Sequence, residues 1–269
     1  MDRGDAGAIP APQQRPARLS GLAQSAPFAA RCATRGFLDW GMPATPIPYQ
    51  LHHCVSARSF RALWMLEELE QPYELRMLPF PPRALERSYL ALNPLGTVPL
   101  LRHGAAQLTE SAAICEYLAA RHPQAQLAVG PHEDGFADYL NWLHMSDATL
   151  TFPQTLVLRY THFEPPERQQ PQVAQDYARW FLARLRAVEA AVQHHDWLCG
   201  ARFTAADVAV GYALMLAAHL ELAAQWGPAT TAYWQRLQAR AAFARALAAE
   251  QGAALAQGVP VTPSPLLRP

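Results

Sequence analysis

The chain has 269 residues, 51% of them hydrophobic and 16% charged, enough to bury one large core or two smaller ones. Its 22 basic residues, all of them Arg, balance 22 acidic ones, so the charge points neither to nucleic acid nor to an anionic membrane. No apolar run reaches transmembrane length, and the N-terminus lacks the apolar core of a secretory signal.

Residues 1–47 are rich in Ala, Pro, Gly, Gln and Arg without a sustained period. They are expected to be a mostly disordered extension, with Met42 close to the start of the folded part. Tyr49 to His53 alternates like a short strand. Arg58 to Glu70 reads as a helix with Phe60, Leu63, Leu66 and Leu69 on one face. Tyr73 to Leu78 is strand-like, Phe80-Pro81-Pro82 breaks it, and a short irregular helical stretch runs to about Leu92. Val98 to Arg102 and Gln107 to Thr109 form a hairpin pattern around His103-Gly104, and Ser111 to Arg121 is a helix. The order β-α-β-α-β-β-α predicts a small mixed sheet against helices.

Beyond His122-Pro123 the pattern is helical only. Phe136 to about Tyr160 is long and aromatic-rich, with Pro153 a point of interruption. Further helices are expected from Gln175 to His194, Ala205 to Leu222, Thr230 to Arg240 and Ala242 to Glu250. These give a first domain over 48–125, an all-helical domain over 133–255, and a loose Pro-rich tail over 258–269. Cys32, Cys54, Cys115 and Cys199 form no CxxC pair and no metal-ligand spacing. A reduced cytoplasmic protein without a metal is the simplest reading.

Two segments carry chemistry. In Asn93-Pro94-Leu95-Gly96-Thr97-Val98-Pro99-Leu100-Leu101, Pro99 stands at the start of a strand, where it cannot donate to the ladder. A cis bond before Pro99, as in thioredoxin-like folds, would leave the Val98 backbone to pair with an extended peptide ligand. In Thr109-Glu110-Ser111-Ala112-Ala113-Ile114, Ser111 opens a helix whose free N–H groups and hydroxyl suit a carboxylate. Glu110 beside it suits an ammonium, so together they fit an α-amino acid terminus. Thr204 and Asp207 have capping-box spacing and are read as a folding element, not as catalytic.

These segments resemble the glutathione site of cytosolic glutathione transferases, and Arg202-Phe203-Thr204-Ala205-Ala206-Asp207-Val208-Ala209 resembles the signature near the core helix of that family's second domain. Ala232-Tyr233-Trp234 and Ala239-Arg240-Ala241-Ala242-Phe243 are similar to its closing helices. Arg61-Ala62-Leu63-Trp64-Met65-Leu66-Glu67-Glu68-Leu69 is similar to a fungal and bacterial subgroup of serine-type-like members. The resemblance spans about residues 48–250. It implies an α/β thioredoxin-like N-terminal domain plus an all-α C-terminal domain, and a homodimer. Glutathione would be held by Val98, Pro99, Glu110 and Ser111 and would serve as co-substrate. Its thiol would attack an apolar electrophilic small molecule, or reduce an organic hydroperoxide.

Such chemistry needs the thiolate, and so a donor near the sulfur. The resemblance implies that Ser56 supplies that hydroxyl. Ser59, in the first turn of the helix, is the second choice, and many relatives carry Ser where this chain has Ala57. Arg58 would add positive charge. Cys54 would instead support thiol-disulfide exchange, although a packed strand-end cysteine is the simpler reading. Thr97 stands where relatives often carry a basic residue or Gln, which leaves Arg83 or Arg87 to hold the glycine carboxylate. Tyr139, Trp142, Leu143 and His144 are candidates for the acceptor surface, though a helical aromatic stripe is more often core. A non-catalytic interaction protein of the same fold is the contrasting reading.

Overall fold

The computed structural model describes residues 48–267, so the expectation for 1–47 lies outside the described residues. Strand β1 (Tyr49–His53) is central, with β2 (Tyr73–Met77) parallel on one side and β3 (Leu100–His103) antiparallel on the other. Strand β4 (Ala106–Leu108) pairs with β3, giving the order β2-β1-β3-β4. Helix α1 (Phe60–Glu68) crosses from β1 to β2, and α2 (Pro82–Leu85) with a 3-10 turn over Arg87–Ala91 fills the irregular stretch before β3. Helix α3 (Ser111–Arg121) closes this part. The expected β-α-β-α-β-β-α order is the observed one.

Helices α4 (Phe136–Met145) and α5 (Phe152–Leu158) belong to one continuous helical run, joined by a wide π turn over Ser146–Thr151. Pro153 accounts for the break. It lacks an N–H, and its ring crowds the carbonyl one turn back, so the preceding turn widens. Thr151 turns its hydroxyl onto the Ser146 carbonyl at 2.7 Å, and the wide turn presents both residues to the first part of the chain.

Helices α6 (Pro171–Val192), α7 (Ala205–His219), α8 (Pro228–Gln238) and α9 (Ala241–Ala256) complete the helical part. Helix α7 is apolar on nearly all sides and almost wholly buried. Gly211 lets it lie directly on α1: a Cβ there would stand 2.8 Å from the Trp64 ring. Trp64 also meets Phe243 of α9 edge to face at 4.9 Å, so α1 is clamped between α7 and α9 in a single core.

The expected loose tail packs down. Gln257 bonds the edge strand β2 through Met77 N–H and Leu75 C=O, both at 2.9 Å. Ser264–Leu266 forms a 3-10 turn, and the Ser264 N–H donates to the Val55 carbonyl at 2.8 Å. Prolines pre-set the backbone, so little entropy opposes docking of such a segment.

The capping box at Thr204 and Asp207 forms as expected. Asp207 is buried and accepts from the N–H groups of Leu198 and Thr204 at 3.0 and 2.8 Å, and from Tyr233 Oη at 2.8 Å. Asp207→Ala would leave these buried donors unmet. It is expected to cost about 3 kcal/mol, against about 1 for Thr204→Ala, in denaturant unfolding.

Candidate functional site

A cleft of about 440 Å³ opens between the sheet part and the helical part. From the first come Ala57, Arg58, Phe80, Arg83, Thr97, Val98, Thr109 and Glu110. Thr151, Thr155, Leu158, Phe163, Tyr212 and Leu216 face them from the helical part, and Ser264 and Pro265 join from the tail.

The two segments singled out in the sequence meet here. The Val98-Pro99 bond is cis. Val98 lines the cleft, and no hydrogen bond within the described residues uses its N–H or C=O. The loop is held instead through Thr97, whose carbonyl accepts from Asn93 Nδ2 and Tyr89 Oη, both at 2.8 Å. Glu110 is exposed in the cleft, immediately before α3. Ser111 is buried at the first position of α3, and its hydroxyl accepts from Arg61 Nη1 at 2.8 Å. Ser111 itself is not among the residues that line the cleft; Thr109 and Glu110, just before it, are.

Arg61, which the sequence shows only as part of a motif, is a buried hub. Its five donors all find acceptors. Nε reaches the Ala209 carbonyl at 2.9 Å, and Nη1 reaches Ser111 Oγ and Asp147 Oδ1. Nη2 reaches the Ser146 carbonyl at 3.1 Å and Thr151 Oγ1 at 2.8 Å. The guanidinium lies over the Tyr212 ring, 4.8 Å from its centroid. Burial pushes the Asp147 carboxyl up, but Arg61 and Arg58 more than offset this and hold it below its ordinary value. The Tyr212 hydroxyl is pushed up to about 12 by burial, against the pull of Arg58 and Arg61.

Ser56 stands elsewhere than expected. It is buried outside the cleft lining, with φ +53°. Its hydroxyl donates to Glu250 Oε1 at 3.1 Å and its N–H to Glu250 Oε2 at 2.9 Å. The expectation that Ser56 presents its hydroxyl to the thiol is therefore corrected: a carboxylate on α9 has captured it. Ser59 is also turned away, bonded to His53 Nδ1 at 2.7 Å, while His53 Nε2 meets Glu250 at 2.9 Å. Cys54 is buried off the cleft, and burial drives its thiol far up, which removes it as a thiolate. What the turn does bring to the cleft is Ala57 and Arg58, the latter bonded to Thr155 Oγ1 at 3.2 Å.

Of the remaining candidates, Arg83 lines the cleft and Arg87 does not. Tyr139, Trp142 and Leu143 are core, and His144 is exposed away from the cleft. The helical wall is instead built two or more turns later, from Thr151 to Leu158. Among the described residues no group of three or more His, Cys, Asp or Glu could hold a metal, and no helix is long and apolar enough to cross a membrane.

The model of the glutathione S-transferase N-terminal domain matches residues 51–126, and that of the C-terminal domain matches residues 151–241. Glutathione S-transferase GstA of Escherichia coli O157:H7 is 31% identical over 163 residues, 60% of this chain and 78% of that protein. The chain belongs to the glutathione S-transferase family. Glutathione S-transferase 3 of Schizosaccharomyces pombe is 36% identical over 103 residues, a match spanning 37% of this chain and 41% of that relative. A glutathione transferase from Methylococcus capsulatus superposes with a TM-score of 0.67 at 26% identity, covering 75% of this chain and 98% of the other. Both expected parts, the thioredoxin-like domain and the helical domain, are those of this family of enzymes.

Two substitutions test the site's supports. Arg61→Met would leave four buried acceptors unmet and remove the closer of the two Arg partners of the partly exposed Asp147. A loss of about 3–5 kcal/mol in unfolding free energy is expected, with Arg61→Lys failing to restore it. Ser56→Ala would cost about 1–2 kcal/mol, because Glu250 loses one donor and Ala is placed at positive φ. Thermal and urea unfolding monitored by circular dichroism would measure both.

Proposed function

We propose that this chain binds glutathione and transfers it to apolar, electrophilic small molecules. The observation that carries the reading is the single cleft joining the unpaired Val98 backbone and Glu110 to an apolar wall of Phe80, Leu158, Phe163 and Leu216.

In this reading glutathione lies extended along Val98, its cysteinyl main chain pairing with the Val98 N–H and C=O as an added strand would. The γ-glutamyl carboxylate takes the N-terminus of α3 and the Ser111 hydroxyl, and its ammonium takes Glu110. Arg83 is the base for the glycine carboxylate. The sulfur then lies at the Ala57-Arg58 turn. The Arg58 guanidinium favours the thiolate there, and the thiol proton passes to water. The thiolate forms a carbon–sulfur bond with the acceptor, and a leaving group such as chloride departs with the electron pair of the bond that breaks. Phe80 and Phe163, with ring centroids 5.5 Å apart, suit an aromatic acceptor. The same reading includes a cytoplasmic homodimer and no metal. Disulfide exchange through the chain's own thiol finds no support, since Cys54 is buried off the cleft.

Isothermal titration with glutathione, followed by conjugation to a chlorinated dinitrobenzene and turnover of an organic hydroperoxide, tests the proposal. Saturable binding is expected, and Glu110→Gln should raise the glutathione Kd by about tenfold, the worth of one charge-assisted contact. Absence of binding at millimolar glutathione would overturn it.

A further inference from the structure

The hydroxyl that should meet the thiol is missing from its usual source. Ala57 has none, Ser56 gives its hydroxyl to Glu250, and Ser59 is held by His53. Across the cleft, Thr151 donates to the Ser146 carbonyl at 2.7 Å, and Thr155 donates to the Thr151 carbonyl at 3.2 Å while accepting from Arg58.

The tail fills this gap. The chain leaves α9, turns at Gly258 with φ +68°, and returns to the sheet part. The Ser264 N–H donates to the carbonyl of Val55 at 2.8 Å, which pins this residue beside the turn that carries Ala57 and Arg58. Ser264 lines the cleft with them and is 3% exposed. No hydrogen bond within the described residues uses its hydroxyl, and that oxygen is not among the sealed, unpartnered polar atoms. The residue thus brings an unpaired hydroxyl to the wall of the cleft.

We propose that Ser264, from the C-terminal tail, is the residue whose hydroxyl donates to the glutathione sulfur. The assignment rests on the glutathione reading above. The Ser264 hydroxyl gives one hydrogen bond to the thiolate, the thiol proton leaves to water, and no covalent bond forms to Ser264. The donor is pre-placed, because the backbone bond to Val55 has already fixed the segment. Ser264 is thus a catalytic residue, and the tail that carries it is part of the active site.

The test uses the full chain. Ser264→Ala keeps the N–H that anchors the tail, so the strap should stay docked. The ultraviolet absorbance of the bound thiolate is followed against pH. The thiol pKa should rise by about one unit in the variant, with conjugation at neutral pH falling roughly tenfold. Glutathione Kd by titration calorimetry should stay within about twofold, since other groups bind the peptide. Ser264→Thr should restore the wild-type profile, and a chain ending at Pro263 should reproduce the rise. The other titratable groups lining the cleft, Arg58, Arg83, Glu110 and Tyr212, are unchanged in all three. A wild-type chain that binds no glutathione would overturn the underlying reading and the assignment with it. If it binds and conjugates, but Ser264→Ala leaves the pH profile unmoved, the assignment alone falls. It falls likewise if Tyr212→Phe, and not Ser264→Ala, moves the profile.

Discussion

One guanidinium holds the two halves of this protein in register. Arg61 is fully buried on α1, and its acceptors come from α3, the wide turn before α5, and α7. A buried charge costs several kcal/mol unless every donor is matched, and here all five are. That requirement is geometric. The Ser146 carbonyl and Thr151 reach Arg61 only because the helix widens ahead of Pro153. Ser111 and Tyr212 are held by the same group, and Tyr212 with Thr151 forms part of the cleft wall. The shape of the site is thus a consequence of satisfying one charge. An apolar side chain of equal volume could have filled the space, but it would not have fixed the register of four elements.

Glu250 plays the corresponding part on the other side of α1. It receives Ser56 twice and His53 once, and so ties the β1–α1 turn to α9. This over-determined contact holds Ser56 at positive φ, a conformation an unsupported serine would leave. Glu250, His53 and Ser59 form a line of hydrogen bonds with the composition of a hydrolytic triad. Their burial argues otherwise. No side chain of the three exceeds 1% exposure, so no substrate carbonyl could reach the hydroxyl. The array is a brace beneath the turn, and its effect is to occupy the hydroxyls that the turn would otherwise have shown to a ligand.

What the sequence disclosed, and what it hid, follows from how far apart the partners lie. The strands and helices were legible because periodicity is local, and so were the cis Val98-Pro99 bond and the opening of α3 at Ser111. Val98, Glu110 and Ser111 sit within a short stretch with recognisable turn and cap chemistry. The capping box at Thr204 and Asp207 is local too, and its reading as a fold element matches its burial. Ser56 misled because its partner, Glu250, is 194 positions away. Arg61 reads as one residue of a motif and not as a hub, since its acceptors lie 50 to 148 positions distant. The one local hint was a charged residue between Phe60 and Leu63 on a helix otherwise bound for the core. The tail misled through composition. Pro-rich sequence signals the absence of regular structure, which differs from the absence of docking.

The two halves of the proposed site therefore have different origins in the chain. In the proposed reading peptide binding rests on one hairpin and the helix after it, all within one domain. Thiol activation, as proposed, would draw on a turn near the start of the fold, the Arg58 guanidinium held against α5, and a tail that closes back from the far end. Each of those must be placed by long-range packing before the sulfur can be served. On that reading a change on α9 or in the tail would alter the reactivity of the bound thiol without touching the groups proposed to hold the peptide. In such an arrangement affinity for the peptide and reactivity of its sulfur are separable properties, and the second is the one that depends on the whole fold.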